Sequence, residues 1–252
     1  MSHYRSRTIA GRLETTRIAT HNALATPAVL TALGEHTYNA TKIAAGQALH
    51  ESAGTAVSTA TARFGAQKAA TAQVVAKRRE TRAAFQRFAR LARTHFQDDP
   101  GALGILGLDV PMPNTDSAFV VAATNLWDGS RYTPAMKADA AELGYTEERL
   151  AEEQAKVDGL VATLQTYYQQ KAAYQAAKVS QRTAVKAMDK WMGRFLRIAR
   201  VALADQPQAV EQLGVVARTF PTQAQRDGRR KAAATRLQKK AQRQMVNLPK
   251  AA

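Results

Sequence analysis

The sequence predicts an all-α protein. It reads as a tandem duplication of a short helix–long coiled-coil helix–short helix unit, with the long helices packed antiparallel as an elongated helical bundle. Three observations predict this. Shifted by 107 residues, Arg87–Leu108 (RFARLARTHFQDDPGALGILGL) meets Arg194–Val215 (RFLRIARVALADQPQAVEQLGV) without a gap, and 10 of the 22 positions are identical. No proline occurs from residue 28 to 99 or from 135 to 206, so nothing interrupts a helix across either stretch. Hydrophobic content is 45% while aromatic content is only 6%, a composition suited to thin, closely packed helices.

The same offset extends upstream. Thr26-Pro27-Ala28 meets Thr133-Pro134-Ala135, Glu35 meets Glu142, Tyr38 meets Tyr145, Ala44 meets Ala151, and Gln47-Ala48 meets Gln154-Ala155. A fixed period of this kind marks repeated architecture. It divides the chain into a basic N-terminal arm (1–25), repeat 1 (26–108), a linker with a short helix (109–132), repeat 2 (133–215) and a basic C-terminal tail (216–252).

Each repeat opens at Thr-Pro, with threonine as N-cap and proline at the first helical position. This helix is expected to stop near Gly34 in repeat 1 and at Leu143-Gly144 in repeat 2. The long helix follows, started in repeat 2 by Thr146 and the acids Glu147 and Glu148, which suit a helix N-terminus. It is expected to reach about Gln97 in one copy and Ala204 in the other. At about 1.5 Å per residue, such a helix is on the order of 88 Å long. The last helix of each repeat starts at Pro100 or Pro207 and closes at Gly107 or Gly214.

A heptad register supports the long helices. In repeat 2 it selects Leu150, Val157, Leu160, Leu164, Tyr167, Tyr174, Val185, Met188, Met192, Phe195, Ala199 and Ala202, interrupted by Glu153, Lys171, Lys178 and Gln181. In repeat 1 it selects Ile43, Ala53, Val57, Ala60, Phe64, Val74, Phe85, Phe88 and Ala92. The interruptions there are Gly46, His50, Gln67, Thr71, Arg78, Thr81 and His95. The seam is apolar toward both ends and small or polar in its middle. A hairpin at Gly65 is the rival parse, but Gln170–Gln175 in the other copy carries no turn signal. Two rods bury only a narrow seam, so a dimeric four-helix bundle or larger assembly is expected to cover the rest.

Charge is distributed unevenly. The net charge is +16, and residues 221–252 hold nine basic residues against Asp227 alone. Residues 77–93 hold seven basic residues against Glu80, whereas 139–158 hold seven acids against Arg149 and Lys156. Opposite charge at different places favours docking between copies.

Signals for catalysis are lacking. Without cysteine there is no disulfide, zinc-thiolate site or cysteine nucleophile. The five histidines (His3, His21, His36, His50, His95) form no E-x-x-H or H-x-x-x-H pair, so no metal site is expected. Gly101–Gly107 lacks the lysine and hydroxyl of a phosphate-binding loop. Neither an enzyme nor a cofactor is expected. No apolar run approaches the ~18 residues of a membrane span. Arg5, Arg7, Arg12 and Arg17 with Glu14 read as an ordinary basic arm rather than a transit peptide, and the expected location is the cytoplasm.

The most specific feature is an arginine series: Arg87, Arg90 and Arg93 recur as Arg194, Arg197 and Arg200. Phe88, Leu91, Phe195 and Ile198 between them are expected to face the short following helices. Together with Arg229, Arg230, Lys231, Arg236, Lys239, Lys240 and Arg243 of the tail, these arginines are the candidate oligomer or polyanion contacts. Glu147, Glu148, Glu152 and Glu153 form the candidate acidic docking face. The expected function is a structural, self-associating coiled-coil protein, a rod, filament or scaffold subunit whose partner is itself. The alternative is non-specific binding of nucleic acid or another polyanion through the tail and arginine stripes, although the tail holds no aromatic residue to stack on bases.

Overall fold

The computed structural model describes residues 8–214, 227–228, 230–236 and 238. Among these, every regular element is a helix: α1 (Ile9–Ala25), α2 (Pro27–Glu35), α3 (Ala40–His95), α4 (Pro100–Leu106), α5 (Asp116–Trp127) with a following 3-10 turn (Gly129–Arg131), α6 (Pro134–Glu142), α7 (Glu147–Ala202) and α8 (Pro207–Gln212). The four short helices α2, α4, α6 and α8 each open on proline, whose fixed φ and missing N–H suit the first helical position. Thr133 caps α6 by accepting from the Met136 N–H at 3.2 Å, and Asp99 caps α4 by accepting from the Ala102 N–H at 3.0 Å. The long helices each span 56 residues, and their ends fall 107 positions apart at both termini. They run unbroken past Gly65 and end two residues earlier than the sequence suggests. None of the described helices is long and apolar enough to cross a membrane.

The duplication is larger than the sequence shows. Residues 1–25 read as an arm, yet Ile9–Ala25 is a helix, with Thr8 accepting from the Gly11 N–H at 3.1 Å as its cap. The next match is α5, whose cap Thr115 accepts from the Ala118 N–H at 3.4 Å, again 107 residues on. Thr16, Ala19, Thr20 and Ala23 bury one face of α1. Between the two caps and the Thr-Pro pairs not one aligned residue is identical, which hid this part of the repeat.

The described chain divides into two compact units, and they are not the two repeats. Unit 1 comprises Met1–His50 with Ala187–Ala252, and unit 2 comprises Glu51–Lys186. Each unit joins the front of one repeat to the back of the other. In unit 1, Val29, Leu33 and Ile43 pack in one cluster with Met192, Phe195, Leu196, Ala199, Leu203, Ala209 and Leu213. In unit 2 the corresponding set is Met136, Ala140 and Leu150 with Phe85, Phe88, Ala89, Ala92, Phe96, Ala102 and Leu106. Every residue of one set sits 107 positions from its counterpart.

Within each unit the long-helix segments run antiparallel. In unit 2 Phe88 meets Tyr145 at 4.4 Å between ring centroids and Phe64 meets Tyr174 at 5.3 Å. In unit 1 Tyr38, just before α3, meets Phe195 at 5.5 Å, and Gly46 lies against Trp191. The seam register holds for most positions, with Ile43, Ala53, Ala60, Val74, Phe85, Phe88, Val157, Leu160, Val185, Met188, Met192 and Phe195 all buried. Phe64 departs from it at 46% exposure; Leu91, expected to face α4, is 40% exposed.

The stops of α2 and α6 share one geometry and differ in chemistry. In α6 the Tyr145 N–H donates to the Ala140 carbonyl (2.8 Å) and the Gly144 N–H to Ala141 (2.9 Å), with Gly144 at φ 80°. In α2 the Tyr38 N–H donates to Leu33 (2.9 Å) and the Thr37 N–H to Gly34 (3.1 Å), with Thr37 at φ 72°. Both are Schellman turns. Gly34 is therefore not the left-handed residue of the stop; it lies inside α2, and the left-handed position falls on a β-branched residue. Left-handed backbone costs an L-residue roughly 1–2 kcal/mol, partly offset by the greater unfolded-state entropy of glycine. Thr37→Gly is expected to stabilise the protein by about 1 kcal/mol, and Gly144→Ala to destabilise it by a similar amount, in denaturant unfolding. A loss of stability in Thr37→Gly would count against the strained turn.

Candidate anion-binding groove and interaction surfaces

A groove in unit 1, of about 500 Å³, is lined by Tyr38, Lys42, Ala45, Ala187, Lys190, Trp191 and Arg194. Its floor is aromatic because the helices approach closely. Trp191 stacks on Phe195 (5.1 Å, 9°) and meets Tyr38 edge-on at 6.0 Å. Its ring fits only because residue 46 has no side chain: a Cβ there would stand 2.2 Å from Trp191 Cη2. The duplicate positions make the complementary exchange, with Ala84 where Trp191 stands and buried Glu153 where Gly46 stands. In unit 2 the third ring comes instead from Trp127 of α5, 5.2 Å from Phe88 and 5.9 Å from Tyr145.

The rim is cationic. Lys42 Nζ lies 5.7 Å from the Tyr38 ring centre. Burial raises the Tyr38 phenol above its ordinary range, and the charges of Arg194 and Arg197 act against that rise. The nearest carboxylate in sequence, Asp189, is held by Arg12 at 2.5 Å.

The arginines of the repeated series have separate fates. Arg87, Arg90, Arg194 and Arg197 are exposed, and Arg197 Nε donates to the Gly193 carbonyl at 3.1 Å. Arg93 is engaged, donating to the carbonyls of Leu108 (3.0 Å) and Val110 (3.1 Å), where it ties the chain after α4 back to α3. Arg200, its duplicate, is half-buried. Of the tail residues, Arg230, Lys231 and Arg236 are helical and exposed, whereas Arg229, Lys239, Lys240 and Arg243 lie outside the described residues.

The acidic face contracts. Glu153 is buried at 6% exposure and pairs with Lys156 at 2.8 Å, so it does not belong to an exposed docking face. Its place on the heptad seam is the physical reason. Glu147 is exposed and paired with Lys137 at 2.8 Å. Glu148 caps the start of α7: its own N–H and the Thr146 hydroxyl hold its carboxyl below the ordinary range. Glu152 is exposed. No group of three or more possible metal ligands occurs among the described residues.

Sequence reasoning missed Tyr38, Lys42, Lys190 and Trp191 as one site. The available signal was the seam break at Gly46, which antiparallel pairing places opposite the only tryptophan of the long helices. No family model, curated protein or solved structure matches this chain.

The Gly46–Trp191 contact makes a direct prediction. Alanine is preferred over glycine in a helix by about 1 kcal/mol, yet overpacking costs typically 1–3 kcal/mol. Gly46→Ala is expected to lower stability by about 1 kcal/mol in denaturant unfolding, and adding Trp191→Leu is expected to remove that penalty. A stabilised Gly46→Ala single variant would contradict the contact.

Proposed function

We propose that this chain is a structural, self-associating helical protein of the cytoplasm, a scaffold or filament subunit whose principal partner is another copy of itself. The observation that carries the reading is the apolar side chains left uncovered on unit 2. Phe64 and Val75 of α3 are 46% and 56% exposed, and Tyr168 and Val179 of α7 are 59% and 62% exposed. Each pair is eleven residues apart, close to three full turns, so each pair shares one side of its helix. The middle of α3, on either side of Phe64, buries mainly small residues, Ala53, Ala60, Ala70 and Val74, and these lie outside the large buried cluster of unit 2. A two-helix layer with large apolar groups outside and small ones inside gains most by packing on a second such layer, as in a four-helix bundle. Glu148 and Glu152 against the exposed arginines would set orientation rather than supply most of the affinity.

A second reading, non-specific binding of nucleic acid, is supported by Arg230, Lys231 and Arg236 on the exposed helical residues of the tail. It predicts retention that falls steeply with salt and is lost when 221–252 are removed.

Sedimentation across a concentration series tests the leading reading. The expected result is a concentration-dependent oligomer, with Phe64→Ser and Tyr168→Ser together weakening association at least ~10-fold, since buried aromatic anchors carry about 1–2 kcal/mol or more each. The circular dichroism spectrum should be unchanged. A monomer at every concentration and salt, or association indifferent to both substitutions, would refute it.

A further inference from the structure

We propose that the unit 1 groove is a binding site for a short chain of phosphate groups, such as inorganic triphosphate or the triphosphate of a nucleotide. This stands apart from self-association and uses different residues.

Three observations point to it. First, the lining contains three cations and no carboxylate: Lys42, Lys190 and Arg194. None of the three forms an ion pair with a described residue, although six other Lys and Arg side chains do. Second, Lys42 sits in the first turn of α3, a 56-residue helix with no acid in that turn. Asn39 Oδ1 accepts the Lys42 N–H at 3.1 Å, and the rest of the positive helix end has no anionic complement. Lys190 and Arg194 stand one turn apart on α7. Cations spread over two helices match several linked phosphates better than a single one.

Third, the duplication supplies an internal control. At the same 107-residue offset, Lys190 becomes Ala83 and Trp191 becomes Ala84, while Ala45 becomes Glu152 and Ala187 becomes Glu80. Lys42 becomes Arg149, which is occupied: it donates to the Gly144 carbonyl at 3.0 Å and lies 4.4 Å from the Tyr145 ring centre. The first turn of α7 carries Glu147 and Glu148. The equivalent surface of unit 2 therefore has two carboxylates where unit 1 has alanine, and one cation fewer. The cationic groove is thus specific to one unit and is not a by-product of the repeat. The two alanines keep the groove open, and Trp191 and Tyr38 give it a rigid aromatic floor.

Trp191 is also the reporter. The chain holds two tryptophans, so Trp127→Phe leaves Trp191 fluorescence as a local signal, and calorimetry on the full chain measures the affinity. With inorganic triphosphate at low salt, the expected result is one saturable site that perturbs Trp191 emission. Lys190→Ala with Arg194→Ala is expected to weaken it at least tenfold. Ala45→Glu with Ala187→Glu, which installs the carboxylates of the duplicate, is expected to abolish it. Arg63→Ala and Lys77→Ala, cationic but in unit 2, should leave it unchanged. Equal affinity for inorganic triphosphate and a nucleoside triphosphate identifies the phosphates alone as the ligand; tighter binding of the nucleotide adds its base or sugar to the recognised groups. The proposal is overturned if triphosphate does not perturb Trp191, or if the groove variants, checked as folded by circular dichroism, bind as tightly as the unmodified protein.

Discussion

Each buried cluster is closed by a phenylalanine from one repeat against a tyrosine from the other. Phe88 meets Tyr145 at 4.4 Å in unit 2, and Phe195 meets Tyr38 at 5.5 Å in unit 1. The two contacts are reciprocal under the 107-residue offset, and the rest of the packing depends on them. A 56-residue helix cannot bury its own apolar face. The duplication meets this constraint by having the C-terminal part of each long helix pack against the N-terminal part of the other. Neither repeat owns a complete core. The Schellman turns that present Tyr38 and Tyr145 are thereby as important as the helices, since they aim the rings that close each cluster.

The two cores differ by a compensating exchange of large and small residues. Trp191 entered unit 1 where residue 46 is glycine; the matching positions in unit 2 hold Ala84 and Glu153, and Trp127 fills the space from another helix. The two units also differ in charge. Carboxylates occupy the start of α7 and are absent from the start of α3. A chain with two similar ends thus acquired one surface with acids and one groove with free cations, and the proposed roles follow from that difference together with the exposed apolar side chains of unit 2.

Much of this was legible in the sequence. Proline at the first helical position and the proline-free stretches gave the long helices to within two residues, and the alignment of Arg87–Leu108 with Arg194–Val215 gave the offset. What stayed hidden did so for physical reasons. α1 and α5 share only their capping threonines, because Thr16 and Thr20 bury small hydroxyls where α5 buries Ala123 and Trp127, so no identity survives to align. The α2 stop does fall beside Gly34, at Glu35, but its left-handed residue was hidden because such a turn normally advertises itself with glycine and here uses Thr37. The groove was invisible because its residues come from opposite ends of the chain, and only the antiparallel register brings Lys42 beside Lys190. Glu153 was assigned to a surface on charge alone, although its seam position already implied burial.

The interlocked cores are most directly tested by separating the repeats. Residues 1–108 expressed alone carry half of each cluster and no partner for either half. Thermal unfolding and sedimentation of this fragment should show either an unfolded chain or a dimer whose Tm rises with concentration, because only a second copy can supply the missing Phe–Tyr contacts. A monomer that unfolds cooperatively at a concentration-independent Tm would show that a single repeat holds a complete core, and would contradict the account.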